Sequence, residues 1–367
     1  MITDKPTQSE VEITLIGTGG GYGESIILKV GIDSWIIIDS CINPFSNEPL
    51  SIEYLSQIGV DTTKVILIVC THWHNDHIKG LAKVLSLCPN AEFCFSAVHD
   101  LNKFLLLCEL DNTKKLKGGS ISSTNEFSDC LAVINNRGTY FTKAQCNLVL
   151  NTVKETGLEF SLYALSPSPK TISDFDSELS QLITEFGKRN TAIINKSPND
   201  KSVALLLKFG EHRVLLGADL EIGKDEYEGW RHIVKHSKVL DEHKANLYKL
   251  PHHGSENGYL KEIFDILVND NSTLKLTPFR ISGLPKKEMM DIYLTHSDKI
   301  YLTSSTIVSK KAKKRNSSIE KVINRSVISL IEAKFSRGIV RSRIDFLALG
   351  SEWTTELYEG AIAYNKT

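Results

Sequence analysis

The stretch VILIVCTHWHNDH, residues 65–77, decides how this chain of 367 residues is read. An apolar, largely β-branched run reads as a strand, and directly after it come His72, His74, Asp76 and His77. Side chains at i and i+2 of an extended loop point to one side, so His72 and His74 can address one divalent cation. Asp76 and His77 then turn toward a second position, because the pattern IKGLAKVLSLC, residues 78–88, announces a helix. Zinc-like cations take imidazole nitrogens and carboxylate oxygens at about 2.0 to 2.2 Å, and a shell only partly filled by protein leaves room for water. The alternative is a surface loop with incidental histidines, against which the density of donors argues.

Outward from this loop the chain reads as a succession of short strands. VEITLIG (11–17), SIILKVG (25–31) and SWIIIDS (34–40) precede it, and AEFCFS (91–96) follows it. Between the first two lies TGGGYGES (18–25), with Gly17, Gly19 and Gly23 spaced like a nucleotide-binding loop. A phosphate cradle must open a helix, whereas here the chain re-enters a strand and the Lys-Ser/Thr pair is missing, so a tight hairpin is expected. Residues 100–200 are less legible. They hold leucine-rich helical signals near 101–110, a polar stretch near 111–130, a strand at GLEFSLYAL (157–165) and a helix at SDFDSELSQLITEFG (173–187). Strands resume at SVALLLKFG (202–210), HRVLLGADLE (212–221) and ANLYKLPHHGS (245–255). The tail offers a basic cluster, an amphipathic helix over 317–333, and two strands, GIVRSRIDFLAL (338–349) and WTTELYEGAIAY (353–364).

Composition bounds the class. With 41% apolar and 24% charged residues the chain is an ordinary globular protein. No run approaches the roughly 18 to 20 apolar residues of a membrane span, and the polar start does not resemble a secretory signal. Seven cysteines, odd in number and set within apolar runs, read as buried free thiols in a reducing, cytoplasmic setting. The net charge is only −1, yet residues 310–343 carry eleven Lys or Arg against Glu320 and Glu332, an excess of +9. That points either to a polyanion-facing surface or to a solvated basic helix.

The order His72-Trp73-His74-Asn75-Asp76-His77 is the H-x-H-x-D-H pattern, and on it the chain resembles the metallo-β-lactamase superfamily over roughly residues 11–310. The resemblance implies an α+β fold, a four-layer αββα sandwich, with residues 1–310 as catalytic domain and 311–367 as a basic helix and strand addition packed on it. It makes His72, His74, Asp76 and His77 metal ligands and Asp219, ending the strand RVLLGAD, a carboxylate shared by two metals. Asp39, ending SWIIID, would orient the metal loop, and one of His252 and His253 would complete the set. One or two divalent ions, zinc or manganese, are implied. The family usually has a further histidine before the shared aspartate, but none occurs between His99 and His212, so the first site is expected to be incomplete and weaker, or completed by the second member of the His252/His253 pair or by a carboxylate, or single-metal function to operate.

The runs LYALSPSP (162–169), SVALLLKFGEHRVLLGADLE (202–221) and LYKLPHHGS (247–255) look like the hydrolase domain of the competence-type DNA-internalisation proteins, the ComEC-like branch, and its soluble relatives. That implies phosphodiester hydrolysis on nucleic acid or a nucleotide, in DNA processing, nucleotide-signal degradation or anti-phage defence. A metal lowers the pKa of its water toward about 7, and Asp76 is the candidate to orient that nucleophile and accept its proton. Gly254 and Ser255 are candidate substrate contacts or plain turn residues, and Trp73 is a substrate wall or a packing residue under the loop. Lys310, Lys311, Lys313, Lys314 and Arg315 would neutralise phosphates. The rivals are an ester, thioester, lactone or amide hydrolase on the same scaffold and a silent metal-binding interaction module. A protein partner and the oligomeric state are not readable.

Overall fold

The computed structural model describes residues 2–18, 23–97, 103–104, 106, 123–189, 198–306 and 337–365. Its first half supplies β1 (Glu10–Thr18), β2 (Glu24–Val30), β3 (Ser34–Ile38), β4 (Val65–Cys70), β5 (Glu92–Ser96) and β6 (Phe141–Ala144). Then come β7 (Leu148–Glu155), β8 (Leu158–Ala164), β9 (Leu205–Phe209), β10 (His212–Leu216), β11 (Ala245–Lys249), β12 (Val268–Leu276) and β13 (Ile300–Leu302). The tail adds β14 (Arg337–Asp345), β15 (Thr354–Glu359) and β16 (Ile362–Tyr364). These strands make two eight-stranded sheets, in the orders β15-β14-β1-β2-β3-β4-β5-β6 and β16-β13-β12-β11-β10-β9-β8-β7.

Burial on both faces explains the continuous apolar runs. In β3, Ile36 and Ile38 enter the core between the sheets with Leu28, Leu67, Val214 and Leu247. Ile37 points the other way, into a layer with Tyr54 of helix Leu50–Gln57, Val84 of helix Leu81–Leu87 and Phe127 of helix Ser123–Arg137. On the far side Trp230, Ile263 and Met290, from helices Gly229–His236, Lys261–Ile266 and Lys287–Tyr293, cover Leu215, Tyr248 and Leu274 of the second sheet. The result is the αββα sandwich expected.

Three readings change in detail. WTTELYEGAIAY is not one strand: it breaks at Glu359, whose φ is 57°, and β15 pairs β14 in the first sheet while β16 pairs β13 in the second. The tail therefore contributes to both sheets, with β14 running antiparallel to β1 from Glu10 opposite Asp345 to Thr18 opposite Arg337. The helix read over 78–88 is likewise divided by Gly80 (φ 84°) into Asn75–Ile78 and Leu81–Leu87. A side chain at Gly80 would meet Ile42 Cγ2 at 2.5 Å, so the break and the close approach need the same glycine. The polar stretch near 111–130 runs into helix Ser123–Arg137, whose Phe127, Cys130 and Ile134 are buried at helical spacing. Around the glycine-rich turn the hairpin is as expected: Thr18 donates to Gly23 O from its N–H (3.1 Å) and from Oγ1 (2.9 Å), and β2 returns antiparallel to β1.

Cys41, Cys70, Cys88, Cys94 and Cys130 are buried free thiols, and Cys146 is a half-buried one. Among the described residues no helix is long and apolar enough to cross a membrane. His99, Cys108, the segment Lys310–Arg315 and the helix read over 317–333 lie outside the described residues.

Candidate metal centre

β3 and β4 run parallel, Ile38 beside Val69, so Asp39 and the loop 71–77 leave the first sheet at the same end. Asp39 is tied into that loop. Its N–H donates to Val69 O (2.8 Å), its Oδ1 accepts from Thr71 N–H (2.7 Å), and its Oδ2 accepts from Thr71 Oγ1 (2.6 Å) and lies 2.7 Å from His77 Nδ1. His77 thus gives its Nδ1 proton to Asp39 and turns Nε2 inward. A second tautomer follows from the same hydroxyl. Thr71 Oγ1 spends its one proton on Asp39, so at 3.0 Å it accepts from His72 Nδ1, and His72 Nε2 is the lone-pair side. His253 makes the third case, Nδ1 donating to Thr277 O at 2.9 Å.

The second sheet brings Asp219 from the end of β10 to these nitrogens. His77 Nε2 lies 3.4 Å from its Oδ1, and His253 Nε2 and His72 Nε2 lie 3.6 and 3.9 Å from its Oδ2. Asp76 Oδ2 is 3.4 Å from His253 Nε2 and 3.9 Å from His77 Nε2. Three groups have ligand atoms within 4.8 Å of one another, and in one of them, Asp39 with His72 and His77, the Asp39 oxygens are taken by Thr71 and His77. Two donor sets remain: Asp76, His77, Asp219 and His253, and His72, His74 and Asp219. Asp219 belongs to both. His72 Nε2, His77 Nε2 and Asp219 Oδ1 are buried without a hydrogen-bond partner, a state that costs about 1–3 kcal/mol per group unless something else binds there. Converging imidazole nitrogens and carboxylates are the donors of zinc-like cations, so the residues fit one or two divalent ions.

The electrostatics agree with a cation-ready pocket. Burial, with the neighbouring His77 charge, pushes His72 well below the usual imidazole range, and burial lowers His74. Burial opposes protonation of His77 as well, but Asp219, Asp39 and Asp76 outweigh it and hold His77 well above that range; burial opposes protonation of His253 too, and Asp219 and Asp76 raise it. Burial would raise Asp76 and Asp219, yet His77 and His253 hold both below the ordinary carboxylate range. Both carboxylates therefore stay ionised, and in the absence of metal the protons sit on the histidines that a cation would displace.

The family model of the metallo-beta-lactamase superfamily matches residues 18–274, well over half of the chain. The chain belongs to the metallo-beta-lactamase superfamily. No curated protein sequence matches it significantly. Among solved structures, a putative metallo-beta-lactamase from Thermotoga maritima is 18% identical, with 62% of this chain and 87% of that one covered and a TM-score of 0.30. MEM-A1, a subclass B3 metallo-beta-lactamase from a soil metagenome library, is 13% identical over 69% of this chain and 83% of its own, with a TM-score of 0.33. Likenesses this faint carry no functional detail. Superfamily members are metal-dependent hydrolases, and this chain has the fold and the donor cluster of one.

Within this metallo-beta-lactamase frame the histidine pair divides. His253 enters the donor set, whereas His252 sets Nε2 3.1 Å from Asn199 Nδ2 and Nδ1 3.7 Å from Glu221 Oε1. The set around His72 and His74 accordingly has three donors among the described residues. Gly254 and Ser255 are spent on the turn: Gly254 has φ 70° and donates its N–H to Pro251 O at 2.9 Å, Ser255 N–H donates to His252 O at 3.0 Å, and Ser255 Oγ bonds Asn257 Oδ1. Trp73 packs under the loop, with ring centroids 4.9 Å from Phe104 and 5.3 Å from Phe175. It is no substrate wall.

Sequence reasoning passed over Thr71, Thr277 and Asn199, ordinary polar residues whose role exists only through their partners. A cleft of about 560 Å³ opens beside His252, reached through Glu221 and Asn257. Its lining carries Asp174, Glu178, Asp200, Glu221 and Glu228 against Lys201 and Lys224, a net −3 among the described residues.

Proposed function

We propose that this chain is a metal-dependent phosphodiesterase acting on nucleic acid or nucleotides, a relative of the ComEC-like branch. The observation that carries the reading is the sharing of Asp219 by two donor sets, since paired cations on one carboxylate suit in-line displacement at phosphorus. Bound divalent cations would supply Lewis acidity, acidify a water to near neutral pH and stabilise charge on the phosphoryl oxygens. The chain's own residues do the rest. Asp39, Thr71 and Thr277 fix the imidazole tautomers, and burial of His72, His77 and His253 keeps bulk water from their nitrogens. Asp76, at 16% exposure the most open of the clustered carboxylates, is placed to take the proton of an attacking water. The excess of +9 over residues 310–343, including Lys310, Lys311, Lys313, Lys314 and Arg315, supports a polyanionic substrate. Free buried thiols support a reducing, cytoplasmic setting.

One observation favours a second reading. The net −3 of the cleft beside His252 repels a polyanion and favours a neutral or cationic substrate, as an ester, thioester, lactone or amide hydrolase on this scaffold would take. The deciding experiment is hydrolysis of bis(p-nitrophenyl) phosphate by protein stripped of metal and refilled separately with zinc or manganese, with Asp219→Ala beside it. Metal-dependent turnover lost in the variant is the expected result. Folded protein inert with either metal, yet active on an ester or amide panel, replaces the first reading by the second.

A further inference from the structure

Two charged residues inside apolar strand ends remain unused by the site so far. Glu24 opens β2 and Lys249 closes β11, so they belong to opposite sheets, and both are almost fully buried. Their side chains form an ion pair across the core, directly behind the donor cluster. An isolated buried charge costs several kcal/mol, and hydrophobic residues of equal volume would serve stability at least as well. The pair calls for an explanation other than stability.

The partner of Lys249 supplies one. Besides Glu24, its Nζ donates to Ala218 O at 3.1 Å. The same carbonyl accepts the N–H of His252 at 3.0 Å, while Gly217 N–H donates to Lys249 O at 3.0 Å. Ala218 immediately precedes Asp219 and holds φ at 44°, a left-handed conformation that a residue with a side chain keeps only when its surroundings impose it. One carbonyl thus joins the turn presenting Asp219 to the turn presenting His253. From the other sheet, Gly23 brings Glu24 against the metal loop, with space for a Cβ at Gly23 closed by Asp76 O at 2.2 Å.

We propose that Lys249, held by Glu24, is a positioning residue that fixes the Ala218 carbonyl and so sets the carboxylate of Asp219 in register with His253 for metal binding. This rests on the metal-holding part of the function proposed above and is independent of the substrate. Outer partners of metal ligands typically govern metal affinity by 10- to 100-fold. Lys249→Met alone would strand a buried carboxylate, so the informative variant is the double change Glu24→Gln with Lys249→Met, which removes both charges at nearly constant volume. A second, Glu24→Gln with Lys249→Gln, lets two amides bond each other while falling short of Ala218 O.

Zinc affinity by chelator competition and the visible absorption of the cobalt(II)-loaded protein are the readouts, with thermal unfolding reporting the fold. The expected result is folded double variants that bind zinc 10- to 100-fold more weakly than the parent and show an altered cobalt spectrum. A folded double variant with parental zinc affinity and cobalt spectrum overturns the proposal. Parent protein that takes up no zinc overturns the metal reading together with it. Neither readout uses a substrate, so a failure of the phosphodiesterase reading shows only in the turnover assay and leaves this result standing.

Discussion

Asp219→Asn is the sharpest test of the shared carboxylate, because one nearly isosteric change touches both donor sets at once. Structural zinc sites with four protein ligands bind with about 10–16 kcal/mol, or about 3 kcal/mol per donor. Losing one charged donor from each set is therefore worth up to about 3 kcal/mol, and an amide oxygen recovers part of it, so each affinity should fall about 10- to 100-fold. The consequence for stability can be worked through. At free zinc about 100 times the parental Kd, binding stabilises the parent by about 2.7 kcal/mol, but a variant 100-fold weaker gains only about 0.4 kcal/mol. At about 1.3 °C per kcal/mol for a chain of this size, the zinc-induced rise in unfolding midpoint should shrink by about 3 °C. Differential scanning calorimetry with and without zinc measures that rise directly, and chelator competition measures the affinities. A variant that binds two ions as tightly as the parent and shows the same zinc-induced rise would refute the assignment of Asp219 to both sets.

Other perturbations reach separate parts of the molecule. Trp73→Ala should cost about 3–5 kcal/mol by emptying the aromatic cluster with Phe104 and Phe175, read as a lowered denaturation midpoint even in metal-free protein. Burial would raise the carboxyl of Asp241, but its bonds from Arg213 (2.9 Å) and Lys208 (2.6 Å) bring it down to about 2. The unfolded chain then binds the proton more readily, so the pair stabilises above about pH 4 and that gain is lost as pH falls through about 2. Asp241→Asn should cost about 1 kcal/mol at pH 7, discounted for solvent screening, and almost nothing near pH 2, as urea titrations at the two pH values would reveal. Removing residues 337–367 should expose the edge of β1 along the nine positions now paired with β14, giving aggregated protein on size exclusion; a monodisperse, soluble truncation would contradict the role of β14.

Much of the fold was legible because its strands are buried on both faces, which writes them as apolar runs such as III in SWIIID and VILIVC. Strands with weaker signatures escaped. β7 buries only Leu150 among half-buried and exposed positions, and in β12 the exposed residues Asn269, Asp270 and Asn271 follow buried Val268, so neither shows a continuous run. The division of WTTELYEGAIAY between two sheets was hidden for another reason: Gly360 marks a turn, but which sheet each arm joins depends on edges formed by β14 and β13, far apart in sequence. In the site, the donors of the metal loop were visible as a local pattern. The different fates of adjacent His252 and His253 were not, since they follow from Thr277 O on one side and Asn199 with Glu221 on the other.

By itself the sequence determined the superfamily, the sandwich and the dense donor loop, because ligands within six residues and strands with two buried faces are encoded in local order. Only the tertiary structure decided which donors converge. Asp219 comes to His72 and His77 from the opposite sheet, the imidazole tautomers are set by Asp39, Thr71 and Thr277, and two solitary charges in apolar strands, Glu24 and Lys249, find each other across the core. Such contacts depend on strand order and register, which long-range packing fixes and no single stretch of residues contains.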